Sequence, residues 1–377
     1  MQSVQTIDTV LLKVASRCNL DCSYCYIYHL ADEGWRRQPK LMSVAVVEAV
    51  AAALGNQLRQ QGTPFSVVLH GGEPLLVGTK RLDELCSLLR TALPHPCGIH
   101  LQTNGTLLTN AVLDVLIRSD VGISISIDGP ETAHDRFRRD HRGRGSYARV
   151  ATAIGRVMGR PDARGLFAGV LAVIDPKSDP ETVYGSLRAT GAPSLDFLVR
   201  DGNWDQLPFG KLGADSTEYG EWLARLLTVY LRDPAPPRVR ILDDMLRLVL
   251  GGASQKEGVG TTDYSILVVE PDGTLNKNDT LKVAHSEADR FERPWSIVTD
   301  RLSEFLASEE FDRYSRQQRP VSRVCRACPD LNICGGGMVA HRWSAAAGFD
   351  NPSIFCADQR YLIGHMRALA ALLPRHA

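Results

Sequence analysis

The chain has 377 residues, and its 43 basic and 43 acidic side chains give a formal net charge of zero. This balance argues against nucleic acid as the main partner, and a hydrophobic content of 44% is enough for a packed core. No segment has the length and polarity of a signal peptide or a membrane span, so a cytoplasmic protein without a membrane partner is predicted. In that reducing compartment the nine cysteines are not expected to form disulfides.

The first 200 residues alternate short apolar segments with helical patterns. Strands are predicted at 10–14, 66–69, 99–102, 123–127, 166–174 and 195–199, and helices at 44–59, 79–93, 110–119, 147–158 and 179–190. This alternation predicts βαβ units with a parallel sheet. Six units are too few for a closed eight-stranded barrel, so we expect an α/β fold with a partial (β/α)6 barrel, whose ligands gather at the carboxyl ends of the strands.

Unusual residues follow the first four predicted strands. The first strand leads to Cys18, the second to the segment 70–74, the third to Asn104 and the fourth to Asp128. Because the carboxyl ends of parallel strands share one edge, these segments are predicted to lie on one rim of the barrel.

The pattern changes after Arg200, and three regions are predicted. Residues 1–205 form the barrel, 206–257 a helical bridge with helices at 216–231 and 239–250, and 258–377 a smaller cysteine-rich domain. The last region contains a predicted hairpin at 266–275, which turns on Pro-Asp-Gly, and a final helix at 357–373.

The first cysteine group is Cys18, Cys22 and Cys25, in a CxxxCxxC loop directly after a strand. Three thiolates can hold three irons of a [4Fe–4S] cluster and leave the fourth iron open to a small molecule. The alternatives are buried free thiols, or structural zinc with His29 as the fourth ligand. The spacing favours the iron–sulfur cluster.

The second group comprises Cys325, Cys328, Cys334 and Cys356, in a CxxCx5C run with one more cysteine 21 residues on. Four thiolates saturate one metal site, and the spacing alone admits structural zinc or a fully ligated [4Fe–4S] cluster. The two remaining cysteines, Cys86 and Cys97, are expected to be small buried apolar residues.

The first group and the segments on the predicted rim resemble the radical S-adenosylmethionine (SAM) superfamily. The resemblance implies that the reduced cluster cleaves SAM to a 5′-deoxyadenosyl radical, which takes a hydrogen atom from the substrate. It also implies SAM contacts from an aromatic residue, a GGEP segment and later strand ends, at Tyr24, Gly71, Gly72, Glu73, Pro74, Asn104, Ser126, Asp128 and Arg138. Ordinary strand-end turns at 103–105 and 126–128, and a solvated surface position for Arg138, remain the alternatives.

The second group resembles the SPASM-type extension of radical SAM peptide maturases, which carries auxiliary [4Fe–4S] clusters. The full SPASM pattern has seven cysteines and two auxiliary clusters. In this chain Asn278 and Met338 stand at two of the cysteine positions. The resemblance therefore implies one auxiliary cluster, on Cys325, Cys328, Cys334 and Cys356, and two clusters in total.

Several C-terminal segments are similar to the FxsB-type maturases, namely 195–198, 268–273, 279–282, 325–329, 334–337, 341–342 and 348–353. The resemblance implies a ribosomally made precursor peptide as substrate and a reductant such as flavodoxin or ferredoxin. It also implies cyclophane formation, in which an aromatic ring carbon is joined to the Cβ of a residue two positions on. Rearomatisation needs a general base, for which Asp201, Asp205 and Asp279 are candidates by position.

Other functions remain open for this sequence. Within radical SAM chemistry they are thioether formation, epimerisation and formylglycine generation on a peptide. Outside catalysis, the chain could be an iron–sulfur scaffold that binds a peptide without turnover.

Overall fold

The computed structural model describes residues 6–254 and 256–372. As predicted, six strands alternate with helices over the first 200 residues: β1 (Thr9–Ala15), α1 (Tyr26–His29), α2 (Val44–Gln61), β2 (Ser66–Gly71), α3 (Thr79–Ala92), β3 (Gly98–Thr103), α4 (Asn110–Arg118), β4 (Val121–Ser126), α5 (Glu131–Phe137), α6 (Tyr147–Gly159), α7 (Pro161–Arg164), β5 (Phe167–Val173), α8 (Pro180–Arg188) and β6 (Ser194–Leu198). Local signals explain the helix ends. In α2, for example, Ser43 accepts a 3.3 Å bond from Val46 N, and Gly62 ends the helix at φ +67°.

The rest of the chain carries shorter elements: α9 (Glu218–Arg232), β7 (Arg238–Val239), α10 (Arg240–Val249), β8 (Ile266–Val269), β9 (Thr274–Asn276), β10 (Trp295–Ser296), α11 (Leu302–Leu306), α12 (Glu309–Arg316), α13 (Arg323–Arg326), α14 (Leu331–Cys334) and α15 (Cys356–Ala370). The predicted hairpin is β8–β9, and the predicted final helix is α15. Position 373, where that helix was expected to end, lies outside the described residues. No helix in the described part of the chain is long and apolar enough to cross a membrane.

The chain divides into two compact units. Among the described residues the first comprises 6–127, 134–170 and 265–315, and the second comprises 128–133, 171–254, 256–264 and 316–372. The domain boundaries expected from sequence, at 205 and 257, stay a prediction. In the first unit β8 pairs in parallel with β1 and so extends the predicted barrel sheet.

In the first unit the strands lie in the order β10-β9-β8-β1-β2-β3-β4. The pairs β8–β1, β1–β2, β2–β3 and β3–β4 are parallel, so their carboxyl ends lie at one edge. Polar residues are in register near this edge, with Lys13 opposite His70 and Gln102 opposite Ser124. The apolar core of this unit includes Val10, Leu12, Val67, Leu69 and Ile123, each fully buried. The strand ends thus place polar groups above an apolar core.

In the second unit β6 pairs in parallel with β7, and α9 packs against α8 and α15. The start of α9 is bound to α15 by Asp358, whose Oδ1 accepts 2.9 Å bonds from the backbone N–H groups of Tyr219 and Gly220. Lys211 forms a 2.7 Å ion pair with the same carboxylate. These contacts satisfy donors that a helix leaves unpaired at its first turn, and so they hold α15, which begins at Cys356.

Candidate cofactor and metal sites

The loop 16–25, which follows β1, brings the first three cysteines together. Cys25 N donates a 2.9 Å bond to Cys22 O, and Leu20 N donates a 3.4 Å bond to Cys18 Sγ. Asn104, after β3, donates from Nδ2 to Cys18 Sγ at 3.7 Å and to Asn19 Oδ1 at 2.9 Å. Burial raises the pKa of both Cys18 and Cys25 to about 12, so cluster binding must release their protons.

The two glycines at the end of β2, Gly71 and Gly72, are required because the chain approaches its own backbone closely there. A Cβ on Gly71 would lie 2.1 Å from Ala15 O, and one on Gly72 would lie 2.3 Å from Arg17 O. Gly72 N and Glu73 N donate to these same carbonyls, at 2.9 and 3.0 Å. The segment 71–73 therefore supports the backbone that leads directly to Cys18, a role that sequence analysis did not assign to it.

Glu73 is fully buried and links the ends of β2 and β3. Its Oε1 accepts from Thr103 Oγ1 at 2.7 Å and from Leu75 N at 3.1 Å, and its Oε2 accepts from Asn104 N at 2.8 Å. Burial raises the pKa of this carboxyl group, and the hydrogen bonds, which lower the pKa, only partly offset that effect. Glu73 thus positions Asn104 beside Cys18, and its contact with SAM stays a prediction.

Arg138 follows α5 and is 7% exposed, so it is not the solvated surface residue considered from sequence. It donates a 2.7 Å bond from Nη1 to the hydroxyl of Tyr24, the residue before Cys25. Ser126, at the end of β4, accepts a 3.0 Å bond from Gln102 Nε2. In the first unit the cysteine loop, Tyr24, Asn104 and Arg138 are therefore connected, as predicted for one rim.

Asp128 belongs to the second compact unit. It is 6% exposed, and its Oδ1 accepts a 3.1 Å bond from Val173 N, at the end of β5. Its position at a strand end agrees with the sequence pattern.

A buried network of charges, which sequence analysis missed apart from Asp279, lies in the first unit. Lys13 donates to Asp279 Oδ1 at 2.9 Å and to Glu270 Oε1 at 3.1 Å. Lys282 Nζ lies 2.5 Å from Asp289 Oδ2 and 3.3 Å from Asp32 Oδ2. A lysine inside the otherwise apolar β1 was the signal in the sequence that could have revealed this network.

Oxygens of three of these carboxylates, Glu270, Asp279 and Asp289, lie within 4.8 Å of one another, as in a metal site. The ammonium of Lys282 lies within 4.0 Å of all three, however, and supplies the positive charge itself. Burial raises the pKa of Glu270 and of Asp289. Burial would also raise the pKa of Asp279, but Lys13 and Lys282 outweigh it and lower that pKa to about 2. Asp279 is therefore an ionised member of an internal ion network.

The three candidate bases differ in their surroundings. Asp279 accepts hydrogen bonds at both oxygens, from Lys13 and from the Tyr26 hydroxyl at 3.1 Å. Asp205, in the second unit, accepts a 2.7 Å bond from Ala345 N. Asp201, in the same unit, lies 3.5 Å from Nε2 of the buried His341 and accepts no hydrogen bond within the described residues. Of the three, Asp201 has the carboxylate that is least engaged.

The second cysteine group lines one cavity in the second unit. Cys325, Cys328, Cys334 and Cys356 border a space of ≈ 230 Å³, together with Gly336 and Arg360. Gly336 N donates a 3.3 Å bond to Cys334 Sγ. Burial raises the pKa of Cys334 to about 11.

The distances between the four sulfurs can be compared with those expected for a zinc site. Four sulfurs on one zinc at about 2.3 Å are only about 3.8 Å apart. Within residues 6–254 and 256–372, no three cysteine sulfurs lie within 4.8 Å of one another. In this part of the chain, therefore, no three of the four thiols stand at the mutual separation of zinc ligands. Cys86 and Cys97 lie outside both groups and are buried, as predicted.

Comparisons with known proteins agree with this architecture. Residues 12–160 match the model of the Radical SAM superfamily. The chain is 24% identical over 344 residues to a cysteine-type anaerobic sulfatase-maturating enzyme of Clostridium perfringens, which covers 87% of this chain and 88% of that relative.

Two solved structures show the same fold. The structure of native anSMEcpe with bound AdoMet has a TM-score of 0.81 at 21% identity, covering 97% of this chain and 100% of that one. Streptococcus suis SuiB bound to precursor peptide SuiA has a TM-score of 0.60 at 13% identity, covering 89% and 72%. The family match includes the CxxxCxxC loop. The match identifies a [4Fe–4S] cluster and SAM as the cofactors. The chain is an enzyme of the radical SAM type.

Proposed function

We propose that the chain oxidises a peptide at the Cβ of one residue, with conversion of serine or cysteine to formylglycine as the leading outcome. The observation that carries this proposal is the likeness to sulfatase-maturating enzymes along nearly the whole chain, including the cysteine-rich C-terminal part. The likeness to SuiB, which was solved with a precursor peptide, supports a peptide substrate.

The proposed ligand sets are separate. Cys18, Cys22 and Cys25 hold the SAM-binding cluster, and Cys325, Cys328, Cys334 and Cys356 hold the auxiliary cluster. When bound, the first cluster with SAM supplies a radical that removes a hydrogen atom, and the second cluster supplies an electron acceptor. The proposed SAM contacts remain those implied by the motifs: Tyr24, Gly71, Gly72, Glu73, Pro74, Asn104, Ser126, Asp128 and Arg138.

Oxidation of a serine side chain to an aldehyde removes two hydrogen atoms. One leaves Cβ as a hydrogen atom, and the second leaves as one electron and one proton, so a base is needed. We assign the proton to Asp201, because its carboxylate accepts no hydrogen bond within the described residues and His341 lies beside it. Asp279 is disfavoured, since both of its oxygens are engaged and its pKa is lowered to about 2.

A second candidate product is the cyclophane, and specific residues favour it. The chain has FxsB-like segments, and it has Asn278 and Met338 at positions where the full SPASM pattern has cysteines. Cyclophane formation begins with the same loss of a Cβ hydrogen and also needs one further electron and proton to leave. Both products therefore require the protein to support removal of a Cβ hydrogen and then of one electron and one proton. They differ only in what the carbon radical reacts with.

The test is anaerobic incubation of the enzyme, SAM and a reductant with peptides that contain a serine, a cysteine or an aromatic residue, followed by fragmentation mass spectrometry of each peptide. Formylglycine is expected to react with a hydrazide probe and to fragment normally at the modified residue. Formation of a cyclophane removes two hydrogen atoms, as formation of formylglycine from serine does, but the cyclophane does not react with hydrazide and resists fragmentation between the joined residues. An unchanged peptide, in a preparation that forms 5′-deoxyadenosine from SAM, would contradict both.

The assignment of Asp201 has its own test. An Asp201→Asn variant is expected to form 5′-deoxyadenosine at the parental rate when peptide is present, while product falls by at least about 100-fold, the lower end of the range for loss of a general base. An Asp205→Asn variant is the matched control, since its carboxylate already accepts a backbone hydrogen bond. Equal losses in the two variants would show that Asp201 has no special role.

A further inference from the structure

Arg342 is a buried cation in the second compact unit. It is 2% exposed, and within the described residues its guanidinium donates only to backbone carbonyls. The acceptors are Gly336 at 2.9 Å, Gly337 at 2.6 Å, Gly335 at 3.4 Å, Gln318 at 2.9 Å and Gln317 at 3.2 Å. Among the described residues no carboxylate forms an ion pair with it. Burying a charge without an opposite charge is costly, so an anionic group is expected nearby.

The three glycines after Cys334 connect this arginine to the second cysteine group. Gly335, Gly336 and Gly337 all have left-handed backbones, with φ of +62°, +82° and +67°. Side chains disfavour this conformation, and a Cβ on Gly335 would lie 2.0 Å from Gly260 O. The peptide groups of Gly336 bridge the two partners, because its carbonyl accepts from Arg342 Nε and its N–H donates to Cys334 Sγ.

Burial lowers the pKa of Arg342, and the negative charges that act against this effect are those of Tyr264 and then of the thiolates of Cys325 and Cys334. The arginine that lines the cavity of the four cysteines is solvent-exposed, unlike Arg342. Arg360 lines the same cavity, but its side chain is 63% exposed and is paired with Asp330. Water screens such a charge, whereas the charge of Arg342 acts through the protein interior.

We propose that Arg342 is the internal counter-charge of the auxiliary cluster and makes that cluster a better electron acceptor. This inference rests on the proposed ligand set of Cys325, Cys328, Cys334 and Cys356. A cluster on four thiolates is anionic, and it gains a further negative charge when it accepts the electron released by the oxidised peptide. A buried positive charge stabilises the reduced form more than the oxidised form, so it raises the reduction potential.

The test uses the full chain with Cys18, Cys22 and Cys25 changed to alanine, so that only the auxiliary cluster is observed. Arg342→Gln and Arg342→Lys are introduced into this background, with Arg360→Gln as the matched control. Each protein is purified without oxygen, its iron is counted, and its cluster is titrated with reductant while the electron paramagnetic resonance signal is recorded.

Arg342→Gln is expected to lower the ratio of reduced to oxidised cluster at least tenfold at the parental midpoint, a shift of about 59 mV for one electron. Arg342→Lys and Arg360→Gln are expected to change this ratio by less than about threefold, because the first keeps the buried charge and the second removes a screened one. If Arg342→Gln instead loses its iron while Arg342→Lys keeps it, the charge is needed to hold the cluster, which also supports the proposal.

Two outcomes would overturn the proposal. In one, Arg342→Gln keeps its iron and titrates at the parental potential. In the other, the glutamine and lysine variants lose iron equally, which would mean that Arg342 only braces the glycine loop. A wrong ligand assignment would give a distinct result, because the variant with Cys18, Cys22 and Cys25 changed to alanine would then contain no iron–sulfur cluster even with Arg342 present.

Discussion

Lys13 Nζ lies 2.9 Å from Asp279 Oδ1, and the side chains are only 4% and 1% exposed. The two residues are 266 positions apart in sequence, and they join β1 to the segment after β9 within the first compact unit. Because neither charge reaches water, each depends on the other for compensation. Removal of either partner would therefore leave an uncompensated charge inside the unit that contains the CxxxCxxC loop.

We expect Lys13→Met to lower the free energy of unfolding by about 3–5 kcal/mol, since it leaves buried carboxylates without their partner. Thermal unfolding of the apoprotein measures the effect. Arg118→Met is the control, because its ion pair with Asp83 is exposed and contributes at most about 1 kcal/mol. Equal losses in the two variants would mean that the network contributes no more than a surface pair.

The stability of the chain is expected to depend on pH through His134. Burial and the nearby Arg138 lower the pKa of this histidine from 6.5 to about 3. A group whose pKa is lowered by folding contributes stability above its unfolded pKa and loses it as the pH falls. His134 therefore stays neutral in the folded protein at pH 5, whereas the unfolded chain binds a proton there. A fall from pH 6.5 to pH 5 should lower the free energy of unfolding by about 2 kcal/mol through this group.

His134→Gln removes the titrating group and retains a polar side chain that can bond to Ser146, which lies 2.9 Å from the ring. We expect the melting temperature of this variant to fall less than that of the parent between pH 6.5 and pH 5. His95→Gln, at a side chain that is 66% exposed, should follow the parent. A His134→Gln profile parallel to the parental one would refute the assignment.

Gly72→Ala should disrupt the first cluster site. Its Cβ would lie 2.3 Å from Arg17 O and 2.0 Å from the Tyr28 hydroxyl, so the backbone before Cys18 must move. The expected result is loss of most of the SAM-dependent change in the cluster spectrum of the anaerobically reconstituted protein. Gly155→Ala, in α6 with no atom within 4 Å of the added Cβ, should retain it. A parental response from Gly72→Ala would show that the loop tolerates the shift.

The two cysteine groups should bind iron independently. The parent is expected to contain about eight irons per chain and no stoichiometric zinc, and replacement of either group by alanine should leave about four. Iron and zinc analysis of anaerobically purified protein measures this. One zinc per chain that disappears with Cys325, Cys328, Cys334 and Cys356 would exclude the auxiliary cluster. A Cys86→Ala and Cys97→Ala double variant, which removes two thiols outside both groups, should retain about eight irons.

Much of the fold follows from local patterns in the sequence. All six strands and the five helices predicted between them lie within a few residues of the expected positions, because apolar periodicity and capping residues act over short distances. The CxxxCxxC loop and the GGEP segment were recognisable for the same reason: their chemistry depends on residues that are close together in sequence. Pairing of β8 with β1 was not predicted, because the residues of a strand do not by themselves determine which other strand it pairs with.

Only the tertiary structure decided what the isolated charged residues do. Asp279 looked like a candidate base, but Lys13 and Tyr26 occupy both of its oxygens. Arg342 stood in the sequence only as part of an FxsB-like segment, and folding makes it a buried cation that donates to five backbone carbonyls. The physical reason is that the ionisation and the role of a charged side chain depend on its burial and on partners that are distant along the chain. A ligand motif, by contrast, consists of residues that are close together in sequence.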